Sequence, residues 1–337
     1  MTAPGVRPEE APRFRDVLEA RRRIRQHLDP TPLRRYTGLS ALTGAETWVK
    51  HENFQPTGAF KVRGGINLVS QLTGEERRRG VIAASTGNHG QSIAYAARLF
   101  GVGAIVCAPA GANRLKVASM EELGAEVVLY GADYDEAREH CEEAARRDGY
   151  RYVHSGNEPL LIAGVGTIAL EALEARPDLE VLIVPIGGGS GAAGACVVAN
   201  AIDPAIEVIG VQSAQSPAAY RSWTAGRLVP APSATIAEGL ATGTAFDLPQ
   251  RILRDRLSRF VLVEDAEIAT AVALMLEHTR TLVEPAGAAP LAAALKLRER
   301  LSGRRVALMC TGGNITPEQL RDFLSAMRPP GPPARAG

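Results

Sequence analysis

The sequence predicts an α/β protein whose sheets are mostly parallel and flanked by helices. Two observations lead there. Short apolar runs recur along the chain, and most are followed by a glycine-bearing turn and a helical pattern, the alternation of βα units. Hydrophobic residues make up 45% of the 337 positions, enough to cover such sheets on both faces.

In chain order, a helical pattern spans residues 14–28 and a strand spans 47–52. Apolar runs at 81–84, 104–108 and 125–130 give a block of β/α repeats ending near Val153. Further runs at 181–186, 208–211, 260–263 and 306–309 give a second set reaching about Leu324. The stretch through Gly80 is expected to join the second set. Residues 1–80 plus 157–327 then form a large domain, and 81–156 a small inserted one. The ends, 1–12 and 328–337, are rich in Pro, Gly and charge and read as disordered.

Charge excludes several function classes. Lys plus Arg is 38 against 37 for Asp plus Glu, which leaves no electrostatic footprint for nucleic acid or an acidic membrane. No window approaches 18 apolar residues, so no transmembrane helix is expected. Residues 1–15 carry acidic groups and no apolar stretch, unlike a signal peptide. Cys107, Cys141, Cys196 and Cys310 lie far apart and make neither a zinc pattern nor a disulfide framework. A cytoplasmic protein with a small-molecule partner fits these facts.

Four glycine-bearing segments carry the chemistry. In Gln55-Pro-Thr-Gly-Ala-Phe-Lys-Val-Arg-Gly-Gly65, Lys61 follows an aromatic ring and is bracketed by glycines that let a flat ligand approach the backbone. Most lysines are surface charges; one held in a semi-apolar site becomes a nucleophile or base. Ser85-Thr-Gly-Asn-His-Gly-Gln91 follows a strand and precedes a helix at 92–99, where backbone amides bind anions. Pro185-Ile-Gly-Gly-Gly-Ser-Gly191 has neither a Walker ending nor dinucleotide spacing, and suits a phosphate monoester. Cys310-Thr-Gly-Gly-Asn314 puts the Thr311 hydroxyl at a strand end.

Together the four segments resemble the fold-type II (tryptophan synthase beta-like) pyridoxal phosphate enzymes, in the serine/threonine dehydratase branch related to serine racemase. The resemblance runs from about Val17 to Leu324 and includes Ile162-Ala-Gly-Val-Gly-Thr-Ile168 and Leu282-Val-Glu-Pro-Ala-Gly287. It implies that Lys61 forms an imine with pyridoxal 5'-phosphate and removes the substrate α-proton, with Phe60 lying against the ring. Asn88 meets the ring oxygen, Gly187, Gly188, Gly189 and Ser190 grip the phosphate, and Thr311 faces the ring nitrogen. Gly239 and Glu284 line the ring edge. Ser85, Thr86, Asn88 and His89 surround the substrate carboxylate. Gly156 leaves space beside the substrate side chain. The implied reaction is elimination of a β-hydroxyl, giving a 2-oxo acid and ammonia, in a homodimer.

The sequence departs from the family pattern in places. Ala59 replaces a Ser, and Thr86 stands where racemases carry a second catalytic Ser, so weak racemisation is expected. Residues 212–218 hold no carboxylate, so no divalent cation site is expected there. Arg63 is a family residue and by itself says nothing about a diacid substrate. Threonine or serine leads as substrate. A phenylserine or hydroxyaspartate type, racemase or threonine-synthase-like chemistry, and a non-catalytic cofactor-binding protein stay open.

Overall fold

A computed structural model describes residues 10–326, so the expectation for the C-terminal tail and most of that for the N-terminus lie outside the described residues. Ten strands form two sheets: β1 (Leu33–Arg35), β2 (Glu46–His51), β3 (Val81–Ala84), β4 (Ala104–Ala108), β5 (Glu126–Leu129), β6 (Arg151–Tyr152), β7 (Val181–Pro185), β8 (Glu207–Ser213), β9 (Arg259–Val263) and β10 (Arg305–Cys310). One sheet has the order β1-β2-β10-β7-β8-β9 and the other β5-β4-β3-β6. Every pairing is parallel except the edge pair β1–β2. The two strands not foreseen, β1 and β6, are the short edge strands, too short to carry a period of their own.

Alternation along each strand builds two cores per sheet. In β10, Val306, Leu308 and Cys310 face one cluster, while Ala307 and Met309 face the other. In the smaller sheet Val81 and Ala83 point one way, Ile82 and Ala84 the other. Both sheets are thus buried on both faces, which explains why their strands read as continuous apolar runs.

The cores do not part at residue 80. Helix Val62–Val69 contributes Val62, Ile66 and Val69 to the cluster that also holds Val81 and Ala83. It touches helices Asn88–Leu99 and Pro159–Ala175 through glycines. A Cβ on Gly164 would lie 2.7 Å from the Gly64 Cα, and one on Gly65 would lie 2.6 Å from the Ser92 carbonyl oxygen. The glycines of the Ile162–Ile168 segment therefore serve close helix contact.

Candidate active site

β7 and β10 are neighbours, yet the chain leaves β7 toward β8 and reaches β10 only after β9, so the strand order reverses between them. Open α/β sheets bind ligands at the carboxyl ends of strands flanking such a reversal. There, a cleft of about 800 Å³ opens between the two sheets, lined by residues of all four glycine-bearing segments.

Lys61 is set by the β10 end. Ala59 bridges Gly312, the Phe60 amide donates to the Thr311 carbonyl (2.9 Å), and the Gly313 amide donates to the Gly58 carbonyl (2.9 Å). Gly58 has φ +66°, a conformation that favours glycine and turns the chain into the helix. The Lys61 amine donates to the Ser155 carbonyl (3.1 Å) and the Ser190 hydroxyl (3.4 Å). Burial pushes it down to about 8, so a useful fraction is neutral near neutral pH.

The loop after β7 has the free amides to receive an anion. Gly189 (φ +92°) caps helix Ser190–Ile202, and the amides of Gly187, Gly188 and Gly189 have no backbone acceptor among the described residues. Side chains have no room there: a Cβ on Gly188 would lie 2.7 Å from Phe246 Cδ2, and one on Gly187 3.2 Å from the Gly239 carbonyl carbon. Phe60 packs beneath, 3.2 Å from where a Gly191 Cβ would stand.

The segment after β3 differs in detail from expectation. Its helix starts at Asn88, with Gly87 as cap, so Asn88 and His89 sit in the first turn. Gly90 and His89 are poor helix formers, which hid this in the sequence. The Ser85 hydroxyl oxygen accepts from the amides of Gly87 (3.1 Å) and Gly90 (2.8 Å). His89 Nε2 pairs with the Val153 carbonyl (3.0 Å) and its Nδ1 is buried without a partner. Burial, reinforced by Lys61, pushes His89 down to about 3, leaving a neutral ring. Thr86 lines the cleft.

On the opposite wall, Asn88 Nδ2 donates to Glu284 (2.9 Å), and Asn314 Nδ2 donates to Asn88 Oδ1 (2.8 Å). Burial pushes Glu284 up to about 7, while Lys116 and Asn88 pull the other way. Thr311, Gly239 and Glu284 all line the cleft.

Gly156 does not do so, and the expected space beside it is taken. A Cβ there would run into the Phe246 ring, 2.9 Å from its Cε2, and that ring stands edge-on to His154 with centroids 4.7 Å apart. His154 Nδ1 accepts from the amides of Gly156 (3.0 Å) and Asn157 (2.9 Å), which fixes a neutral ring. Sequence reasoning also missed Lys116, Glu238, Arg138 and Phe246, which complete the cleft wall. None lies within a glycine-rich motif, so no local pattern marked them.

Among the described residues no group of three or more His, Cys, Asp or Glu is placed to hold a metal ion. At the β8 end, Ser213 Oγ donates to Asp265 (2.7 Å), which also accepts from Thr235 Oγ1 (2.6 Å) and the Ile236 amide (2.8 Å). No described helix is long and apolar enough to cross a membrane.

A buried amine lowered to about 8, a loop of free amides and a slot beside Phe60 fit an aldehyde cofactor bearing one phosphate. Comparison with known proteins agrees. A family profile described as pyridoxal-phosphate dependent enzyme matches residues 24–312. An L-threonine ammonia-lyase of Thermotoga maritima is 39% identical over 301 residues, covering 89% of this chain and 75% of the relative. A beta-hydroxyaspartate dehydratase of Paracoccus denitrificans is 36% identical over 311 residues, 92% and 98% of the two chains. The structure of maize serine racemase superposes with a TM-score of 0.89 at 30% identity, covering 94% of this chain and 98% of that one. The chain therefore belongs to the pyridoxal-phosphate dependent enzymes, in the serine/threonine dehydratase branch of carbon–nitrogen lyases, with pyridoxal phosphate as its cofactor.

Proposed function

We propose that the chain deaminates a β-hydroxy amino acid with a small neutral side chain, threonine or serine. Water is lost and regained, and the products are a 2-oxo acid and ammonia. The observation that carries this reading is the Lys61 amine, buried, lowered to about 8, and shared between the Ser155 carbonyl and the Ser190 hydroxyl beside the anion cradle.

Bound pyridoxal phosphate supplies the electron sink for charge developing at the substrate Cα. The residues of the chain supply the rest. The amides of Gly187–Gly189 and the Ser190 hydroxyl hold the phosphate, and hydrogen bonds to a charged group contribute about 1.5–3 kcal/mol each. Phe60 would pack against the ring, Asn88 would meet its oxygen, and Gly239 and Glu284 would flank its edge. Thr311 would offer a hydroxyl to the ring nitrogen from the end of β10. Lys61, hydrogen-bonded to the Ser155 carbonyl and the Ser190 hydroxyl, would be the base for the Cα proton. Thr86 and the amides at the start of helix Asn88–Leu99 receive the substrate carboxylate, while Ser85 and His89 hold that segment in shape.

The relatives act on threonine or on hydroxyaspartate by name. The small neutral side chain is favoured because Arg138, which lines the cleft, is already paired with Glu142 (3.0 Å) and Asp135 (3.6 Å). A second substrate carboxylate would have to displace them. Oxo-acid release from threonine, serine, phenylserine and hydroxyaspartate tests the assignment; fastest turnover of hydroxyaspartate would reverse the preference. Lys61→Ala should lose the absorbance of the lysine-linked cofactor and about a thousandfold or more in kcat. A retained band would remove Lys61 from this role. We further infer a homodimer, which the resemblance to the family implies and light scattering checks, and a cytoplasmic location, which four free, buried cysteines support.

A further inference from the structure

Among the described residues the cleft is lined by three lysine or arginine side chains, and two of them are accounted for. Lys61 lies at its floor, and Arg138 is held by Glu142 and Asp135. The third, Lys116, extends from helix Arg114–Glu122, which packs on the four-stranded sheet, and its side chain is only 12% exposed. It forms an ion pair with Glu238, which lies on the 3₁₀ turn Glu238–Leu240 of the opposite wall. Gln319 donates to the other Glu238 oxygen (3.2 Å). The pair bridges the cleft.

Lys116 also lies over the segment read above as the carboxylate site. A Cβ on Gly87 would stand 3.5 Å from Lys116 Cδ and 3.8 Å from its Nζ. The ammonium is therefore poised beside the bend between Thr86 and Asn88. That segment has no cation of its own. The Ser85 oxygen accepts two backbone amides, His89 is neutral and turned to Val153, and the Asn88 amide group is committed to Glu284. Glu238 adds negative charge on the facing wall. A carboxylate leaving water for this site needs a paired cation to offset its lost hydration; Lys61 is taken up by its role as the base, and Lys116 lies directly over the segment.

We propose that Lys116 is an anchor for the substrate α-carboxylate, held in waiting by Glu238. The incoming carboxylate takes the place of Glu238 on the ammonium, so Lys116 stays paired before and after. Glu238 is released to the opposite wall, and it re-forms the bridge when the product carboxylate leaves. The proposal rests on the assignment of residues 85–89 as the carboxylate site.

The test uses holoenzyme and two probes, L-alanine and its alcohol analogue 2-amino-1-propanol, which lacks the carboxylate. Binding of each is read from the cofactor absorbance and by calorimetry. In Lys116→Met the Kd of alanine and the KM of threonine should rise about tenfold. The Kd of the amino alcohol should change less than about twofold, and Lys116→Arg should restore most of the loss. Glu238→Gln, which removes the competitor, should tighten alanine binding by about two- to fivefold. Equal weakening of both probes in Lys116→Met would mean a structural role and overturn the proposal. So would unchanged alanine binding in Lys116→Met, or weaker alanine binding in Glu238→Gln. If the wild-type protein binds alanine but releases no oxo acid from any β-hydroxy amino acid, the lyase reading fails while the Lys116 comparison stands.

Discussion

Glu284 keeps its proton at a pH where most carboxylates have lost theirs, because burial strips its charged form of water and Glu238 lies nearby, while the Asn88 amide and Lys116 oppose the shift only in part. Its ordinary value of 4.5 rises to about 7 on folding. A group raised on folding contributes stability that is complete below its unfolded value and is lost as pH rises through the folded one. Apoprotein stability from this residue should thus fall between about pH 4.5 and about pH 7, by on the order of 3 kcal/mol. Glu284→Gln keeps the carbonyl that Asn88 needs and removes the titration. Urea unfolding of both apoproteins across that window should show their difference changing with pH. A constant difference would mean that Glu284 does not hold its proton in the folded chain.

At the scale of elements, the glycines divide into two kinds. Gly58 and Gly189 take left-handed backbone conformations that shape the lysine segment and the anion cradle. Gly64, Gly164, Gly166 and Gly194 instead let helices touch. A Cβ on Gly194 would lie 2.8 Å from the Gly166 Cα and amide nitrogen, both backbone and unable to yield. Alanine gains about 1 kcal/mol of helix propensity over glycine, but forced overpacking costs about 1–3 kcal/mol. Gly194→Ala should therefore lower stability, with a reduced Tm as the readout; a raised Tm would show that these helices have room to part. In the sequence Gly64 and Gly65, beside Lys61, pointed to room for a flat ligand, and both serve helix contact instead. Gly156 shows the same limit, since the space it leaves belongs to Phe246, ninety positions away.

Across the whole molecule, a buried charge cluster ties the lysine helix to the large sheet. Arg63, fully buried, donates to Glu52 (2.7 and 2.8 Å) and Glu171 (2.6 and 2.8 Å). Lys50 from β2 pairs with the same Glu171 (2.5 Å) and reaches the Thr31 carbonyl (2.7 Å). Two cations and two anions balance, so removing one strands a charge in the interior. Arg63→Met should cost about 3–5 kcal/mol, measurable as a shifted urea midpoint, whereas a surface Arg such as Arg22 should cost under about 1 kcal/mol. A change in Arg63→Met no larger than at Arg22 would show the cluster to be dispensable. It also explains Arg63 beside Lys61 as a support and not as a substrate ligand.

Periodicity and composition settled the class of fold, because strands covered on both faces must be continuously apolar and each parallel neighbour needs a crossover. The same local logic singled out Lys61, the Gly187–Gly189 loop and the strand-end Thr311, and the fold gathers them in one cleft. What tertiary structure decided was whatever depends on the facing wall. Lys116 meets Glu238, Phe246 fills the gap at Gly156, and His89 turns to Val153 because separate elements fold against one another. These contacts join residues tens to more than a hundred positions apart, and no local spacing encodes them.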